Sequence, residues 1–179
     1  MSIVLHGVAA GKGIAIGHAH LITRGTTEVP QYDIDPDKLD AEVARFDNAI
    51  KATRKELEQL RGAIPENAPT ELGAFISLHL MLLTDVTLSR EPIDILREQK
   101  INAEWALKLQ SDKLAAQFDS IDDDYLRERK QDMLQVVRRI HNNLVGQSNE
   151  INLAGNLFDD TVLIAHDLSP ADTVLFKEQ

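Results

Sequence analysis

The chain has 179 residues and no cysteine, and its 19 Lys and Arg against 29 Asp and Glu give a formal net charge of −10. The lack of cysteine excludes disulfides, thiolate metal sites, iron–sulfur clusters and a cysteine nucleophile, and the acidic balance disfavours nucleic acid and anionic membranes as partners. No apolar run reaches the ~20 residues of a membrane span and no signal-peptide pattern is present, so we expect a soluble cytoplasmic protein with one or two domains.

The first 25 residues are rich in Gly and Ile, and their alternation predicts a strand. Residues 11–17 read Gly-Lys-Gly-Ile-Ala-Ile-Gly, which is not a phosphate-binding loop because no Ser or Thr follows the lysine. We interpret this run as a turn that leads into the strand. His18 and His20 would share one strand face, but a lone His-x-His pair is weak evidence for a metal site.

Residues 35–146 have an almost wholly helical period. Asp35 and Pro36 predict a helix start, and Gly62 predicts its end near Arg61. The apolar seam of this helix contains Leu39, Val43, Phe46, Ile50, Thr53, Leu57, Leu60 and Ile64. A second seam, between the aspartates at 122–124 and Gly146, contains Leu126, Lys130, Met133, Val137, Ile140 and Leu144. We predict that these two long helices pack antiparallel.

Shorter helices are predicted between the two long ones. Thr70 can cap a helix over 71–83, Ser89 can cap one that ends near Arg97, and Asn102 can cap one that reaches about Ser120. The helix over 71–83 carries two apolar stripes on different sides. Such a helix is either deep in the core or presents one face to a partner, and the sequence leaves both open.

The last part of the chain again has the pattern of a strand. Residues 162–165 form a short apolar run, and Ser169 and Pro170 predict the start of a helix directly after it. A strand and a helix cut short at residue 179 could not bury their apolar faces. We therefore expect that the chain is a piece of a longer protein.

Four runs of residues, in order along the chain, resemble one known family. These are residues 7–17, 79–85, 124–129 and 162–173, which together resemble Enzyme I of the bacterial phosphotransferase system, the phosphoenolpyruvate–protein phosphotransferases. The first run departs from the family pattern, because Gly-Lys stands at 11–12 where the family commonly has Ser-Pro. In this family, phosphoryl passes from phosphoenolpyruvate to an enzyme histidine, and then to the small phosphocarrier protein HPr.

The resemblance implies an α+β multidomain fold. Residues 1–25 and 147–179 would form part of the α/β phosphohistidine domain, and residues 33–146 would form an inserted helical bundle of two helical hairpins that docks HPr. The family's active histidine lies in a segment beyond residue 179, so no catalytic residue is assigned here. No metal site or cofactor is expected in this chain; magnesium and homodimerisation belong to the full-length family, the latter through its C-terminal domain.

The resemblance also implies which residues contact HPr. The apolar members would form the centre of the interface, and the acidic members would steer the approach of a basic carrier. Arg129 would either approach the phosphoryl group or form an i,i+3 pair with Asp132. The predicted docking residues are Glu71, Phe75, His79, Met81, Leu82, Asp85, Leu88, Phe118 and Arg129.

Two other functions compete with this hypothesis. The first is a non-enzymatic helical adaptor whose two seams form an intermolecular coiled coil. Thr53 and Lys130 lie inside those seams and favour packing within one chain instead. The second is a fragment of a related phosphoenolpyruvate-using dikinase or synthase, which shares the phosphohistidine domain but does not need the helical insert.

Overall fold

The computed structural model describes residues 13–22, 29–65, 68–147 and 160–165. These residues belong to two compact units, one of strands and one of helices. The strand unit contains the first and last described ranges, and the helical unit contains the two ranges between them. The predicted helix start at Ser169 lies outside the described residues. The domain boundaries that we predicted stay predictions.

The strand unit is a two-stranded parallel sheet. Strand β1 (His18–Ile22) pairs with β2 (Thr161–Ala165), with His18 opposite Thr161 and Ile22 opposite Ala165. The strand at 162–165 is thus confirmed. The predicted alternation at residues 14 and 16 is not part of the first strand, which begins only after Gly17. A Cβ at Gly17 would lie 1.7 Å from the backbone oxygen of Asp160, so only glycine fits there.

The helical unit consists of a 3₁₀ turn and helices α1 to α6. Their bounds are Pro36–Lys38 for the turn, Leu39–Gly62 for α1, Thr70–Leu82 for α2, Val86–Ser89 for α3, Glu91–Gln99 for α4, Ala103–Asp119 for α5 and Asp124–Leu144 for α6. Among the described residues no single helix is long and apolar enough to cross a membrane. Only the pair formed by α2 and the stretch Val86–Gln99, bent by 60°, meets that test of length and composition together.

The two long helices pack against each other, as their seams predict. Arg45, in the second turn of α1, donates a hydrogen bond to the backbone oxygen of Leu144 at the end of α6. The end of α6 therefore lies beside the start of α1, and the two helices run antiparallel. One core contains the apolar seam residues of α1, residues of α2 to α5, and, from the seam of α6, Met133, Val137, Ile140 and Leu144. This packing satisfies both seams within the chain and removes the basis of the coiled-coil adaptor. The fully buried members of the core include Phe46, Leu57, Ile76, Leu83, Leu88, Leu96, Leu107, Val136 and Ile140.

Three predicted caps are wrong, although the helix ends concerned lie within one or two residues of their predicted positions. Gly62 is the last residue of α1 rather than the residue after it, and Ala63 ends the helix in a right-handed conformation. Thr70 is the first helical residue of α2, while Pro69 takes the cap position. Ser89 lies at the end of α3 and does not cap α4. In each case the residue type favours a cap, but backbone hydrogen bonds include that residue in the helix.

Two other predicted ends are confirmed. Asn102 takes the N-cap position of α5, and Gly146 follows α6 with φ +68°, in the left-handed region that favours glycine. The end of α4 has the same geometry without a glycine, because Lys100 has φ 55° and ψ 43°. Its backbone oxygen accepts a 2.7 Å hydrogen bond from the amide of Ile34, which joins the start of the helical unit to the end of α4.

Candidate functional site

Helix α2 has one apolar side in the core and another at the surface. Leu72, Ile76 and the following Leu83 are buried. Met81 lies on a different side and is 61% exposed, which is unusual for a large apolar residue in a helix that otherwise supplies the core. Leu82 is partly buried beside the core. Of the two alternatives that the sequence left open, this arrangement favours a helix that offers a face to a partner.

Two predicted contact residues lie inside the unit. His79 and Leu88 are each 1% exposed, so their side chains have no surface with which to contact a partner. Their assignment as contact residues is therefore corrected: both belong to the core. Phe75 is partly buried, and its ring lies against the His79 imidazole with 4.1 Å between centroids and 50° between planes. The buried His79 ring thus packs against Phe75, which is one of the predicted contact residues.

The buried imidazole of His79 is held in its neutral form. Neither of its ring nitrogens has a hydrogen-bond partner within the described part of the chain. Burial, together with the positive charge of Arg139, lowers its pKa from 6.5 to about 4. At neutral pH the ring is therefore an uncharged packing element between α2 and α6.

The turn between α2 and α3 is fixed by the Asp85 carboxylate. Asp85 caps α3, and its Oδ1 accepts hydrogen bonds from the amide of Thr87 at 2.8 Å and from the Thr87 hydroxyl at 2.7 Å. These bonds lower the pKa of Asp85 and keep it charged. Val86 follows the cap and is 63% exposed. Val86 could not be singled out from the sequence, because it lies in a stretch that has the pattern of a break between helices.

The remaining predicted residues lie on other helices. Phe118, near the end of α5, is partly buried against the core. Arg129 in α6 donates a 3.2 Å hydrogen bond from Nη1 to Asp132, so the i,i+3 pair that the sequence left open is present. Ile121, just after α5, is 46% exposed. It adds apolar surface shortly after Phe118 in the sequence.

Acidic residues predominate around α2, α3 and α4. Glu71, Asp85 and Asp94 are exposed, whereas Glu91 accepts hydrogen bonds from Lys113 at 3.0 Å and Gln110 at 2.8 Å. We define the α2–α3 face as the apolar side chains of Phe75, Met81, Leu82 and Val86 with the carboxylates of Glu71 and Asp85. Its composition, an apolar centre with an acidic margin, is that of a surface for a basic protein.

The described residues contain no group of three or more His, Asp or Glu side chains that could hold a metal ion. His18 and His20 share a strand face, as predicted, and Nδ1 of His18 lies 3.0 Å from Oδ2 of Asp160. These groups do not amount to a magnesium site, for which several convergent oxygen ligands would be needed. No step of the chemistry is therefore assigned to a metal on the described residues.

A family model and the sequence relatives of this chain point to the same family. Residues 6–129 match the family described as PEP-utilising enzyme, N-terminal. The chain is 42% identical to the phosphoenolpyruvate-protein phosphotransferase of Cupriavidus necator, over 99% of this chain and 31% of that protein. It is 34% identical to the protein of the same name from Bacillus subtilis, over 98% of this chain and 30% of that protein. The chain thus spans about a third of the length of these relatives.

Solved structures agree with these sequence relatives. An NMR solution structure of Enzyme I (nEIt) superimposes with a TM-score of 0.76 and 32% identity, over 96% of this chain and 68% of that one. A structure titled as the N-terminal domain of Enzyme 1 - Nitrogen superimposes with a TM-score of 0.66 and 25% identity, over 90% and 65% of the two chains. This chain thus shares its fold with solved N-terminal parts of Enzyme I.

Proposed function

The chain belongs to the family of PEP-utilising enzymes, N-terminal part, and from that premise we propose that it is the carrier-docking part of a phosphoenolpyruvate–protein phosphotransferase. The observation that supports this most is the similarity of nearly the whole chain to proteins of that name, together with the exposed apolar centre of the α2–α3 face. The partner would be a phosphocarrier protein of the HPr kind. The similar proteins carry the phosphotransferase name rather than that of a dikinase or synthase.

Residues 33–146 would be the docking domain, and residues 1–25 and 147–179 would belong to the phosphohistidine domain. Within the docking domain we assign the apolar contacts to Phe75, Met81, Leu82 and Phe118. Met81 would be central, because its flexible and exposed thioether can fit a partner surface of varied shape. Val86 extends this centre by one exposed side chain.

The acidic residues would act mainly on the rate of encounter. Glu71 is exposed at the first turn of α2, where it can attract a basic carrier before contact. Asp85 has a second task, because its carboxylate already caps α3 and would keep the turn in the docking conformation. Arg129 would steady the edge of the surface through Asp132. The role of these charges is positioning; none of them is assigned a chemical step.

The chemistry would take place outside the described residues. In the complete enzyme, which we place in the cytoplasm, a histidine beyond this sequence would receive phosphoryl from phosphoenolpyruvate with the help of magnesium and pass it to the docked carrier. Dimerisation would also depend on the part of the enzyme that this chain does not span. The part of the reaction proposed for this chain is therefore the binding and orientation of the carrier.

Substitution of Met81 tests the docking surface directly. Met81→Asp places a charge in the centre of the contact, where it would be desolvated without a counter-charge, so binding of a phosphocarrier protein should weaken at least a hundredfold in a calorimetric titration. Leu21→Asp is the matched control, since Leu21 is also apolar and 62% exposed but lies on strand β1. Its affinity for the carrier should equal that of the unsubstituted chain.

Three results are distinguishable. Loss of binding in Met81→Asp alone supports the α2–α3 face. Equal affinity of Met81→Asp and the unsubstituted chain would remove Met81 from the interface. No binding by the unsubstituted chain, with normal helix content by circular dichroism, would contradict the proposed function itself.

A further inference from the structure

A cluster of hydrogen-bonded polar groups in the helical unit lies where the start of α5 and the end of α6 meet α1. The guanidinium of Arg45 in α1 donates from Nε and Nη2 to Glu42 at 3.0 and 2.6 Å, and from Nη1 and Nη2 to Glu104 at 2.7 and 2.7 Å. Its fifth donor reaches the backbone oxygen of Leu144 at 3.0 Å. Arg45 therefore joins α1, the first turn of α5 and the last residue of α6.

The same network holds the segment that leads into the helical unit. Asn102, which is fully buried, donates from Nδ2 to Glu104 at 2.9 Å and to the backbone oxygen of Pro30 at 3.0 Å. Its Oδ1 accepts the amide of Tyr32 at 3.1 Å, and its own amide donates to the Tyr32 oxygen at 3.1 Å. The segment at residues 30–32 and the end of α6 at Leu144, which are the two described connections of the helical unit, are thus attached to one cluster of side chains.

The charges of this cluster are balanced internally. The hydrogen bonds that Arg45 donates to Glu104 and Glu42 raise the pKa of Arg45 further above its usual value. Burial disfavours the charged form of Glu104, but the bonds from Arg45 and Asn102 outweigh this effect and lower its pKa. Such a pair contributes defined geometry more than stability, because desolvation offsets most of the attraction.

The cluster is not a ligand site. A hollow of about 470 Å³ lies beside it, lined by residues 32–35, 38, 41, 42 and 45. A guanidinium has five N–H donors, and the five bonds of Arg45 occupy all of them. An anion in the hollow would find no donor left on Arg45, so the function of the cluster has to be sought in the segments that it holds together.

We propose that Arg45 is a positioning residue: it fixes both connections to the helical unit, so that a carrier docked on the α2–α3 face is delivered to the phosphoryl donor in a defined geometry. This inference rests on the proposed function. The docking contacts proposed above lie on α2 and α3 and at Phe118 and Arg129, and none of these residues belongs to the Arg45 cluster. Loosening the cluster should therefore slow transfer of phosphoryl to the docked carrier without weakening docking.

Arg45→Lys is the substitution that tests this inference. Lysine keeps the positive charge but cannot form five planar hydrogen bonds, so the connections should loosen while the fold persists. Arg97→Lys is the matched control, because Arg97 joins α4 to α1 through a single ion pair with Asp40 at 2.7 Å and touches neither connection. Amide hydrogen exchange is measured at Tyr32 and Asn102, and carrier phosphorylation is measured in the full-length enzyme.

We expect exchange at these two amides to accelerate at least tenfold in Arg45→Lys. The kcat for carrier phosphorylation should fall about tenfold, with KM for the carrier within a factor of two, and Arg97→Lys should match the unsubstituted enzyme in all three. Unchanged exchange, or accelerated exchange with an unchanged kcat, would overturn the positioning role. An equal fall in both variants would also overturn it. Failure of the unsubstituted enzyme to phosphorylate a carrier would instead refute the proposed function, and the inference with it.

Where Arg45→Lys does not fold, Glu104→Gln takes its place. The amide oxygen of glutamine can still accept one hydrogen bond from Arg45, but the second hydrogen bond to the carboxylate is lost. Exchange at Tyr32 and Asn102 should therefore accelerate, and kcat should fall, by less than in Arg45→Lys. A folded Glu104→Gln enzyme with normal exchange at Tyr32 and normal kcat would overturn the role of the cluster just as clearly.

Discussion

Replacing the buried His79 with leucine should remove a defined part of the acid sensitivity of the helical unit. The pKa of His79 falls from 6.5 to about 4 on folding, so between these values the unfolded chain binds a proton that the folded chain does not. Stability therefore decreases as pH falls through this window. The full effect is at most about 3.5 kcal/mol, from about 1.4 kcal/mol for each pKa unit. By pH 4.5 the linkage relation gives about 2.5 kcal/mol of this loss.

Urea unfolding of the unsubstituted chain and His79→Leu at pH 7.0, 5.5 and 4.5 measures this contribution. At pH 7.0 the variant should be as stable as the unsubstituted chain or more so, because leucine leaves no unpaired ring nitrogen in the core. On acidification the unsubstituted chain should lose about 2.5 kcal/mol more than the variant, since the carboxylates contribute equally to both. Parallel losses of stability in the two proteins would refute the burial of a neutral His79.

Three further predictions concern backbone geometry and charge. Lys100→Gly should raise the free energy of unfolding by ~0.5–1 kcal/mol, measured in urea, because glycine adopts the left-handed conformation at residue 100 without strain; a loss of stability would contradict it. Gly17→Ala should abolish the pairing of β1 with β2, seen as lost amide protection at His18, whose amide donates to Asp160 at 2.8 Å; retained protection would show that the close approach can relax. The rate of carrier association should fall as salt rises, and less steeply in Glu71→Gln; a rate independent of salt would rule out steering by the acidic margin.

The long helices were predictable from sequence because their apolar period extends over several turns. Thr53 interrupts the first seam, yet it is buried, because its hydroxyl donates to the Ala49 oxygen at 2.9 Å and accepts from Asn143 at 3.1 Å. In the second seam, the predicted core residue Val137 is only partly buried, whereas its neighbour Val136 is fully buried. Such seams tolerate local substitutions since many contacts specify the same face.

The docking residues were less predictable, for a related reason. Helix α2 is apolar on nearly all sides, so its apolar period does not show which side faces the core. From the sequence alone, His79 and Met81 could each lie either in the core or at the surface. The Arg45 cluster could not be predicted at all. Its partners Arg45 and Glu104 are 59 positions apart, and no local pattern links two charged residues over such a distance.

Mapping the docked carrier on this chain tests the central claim most directly. In a titration of the ¹⁵N-labelled chain with an unlabelled phosphocarrier protein, we predict saturable amide shifts concentrated at Phe75, Met81 and Val86. The exposed positions of α1, such as Lys51 and Lys55, should remain unshifted and serve as the internal reference. Shifts centred on α1, or none at carrier concentrations that saturate a known phosphotransferase, would contradict docking on the α2–α3 face.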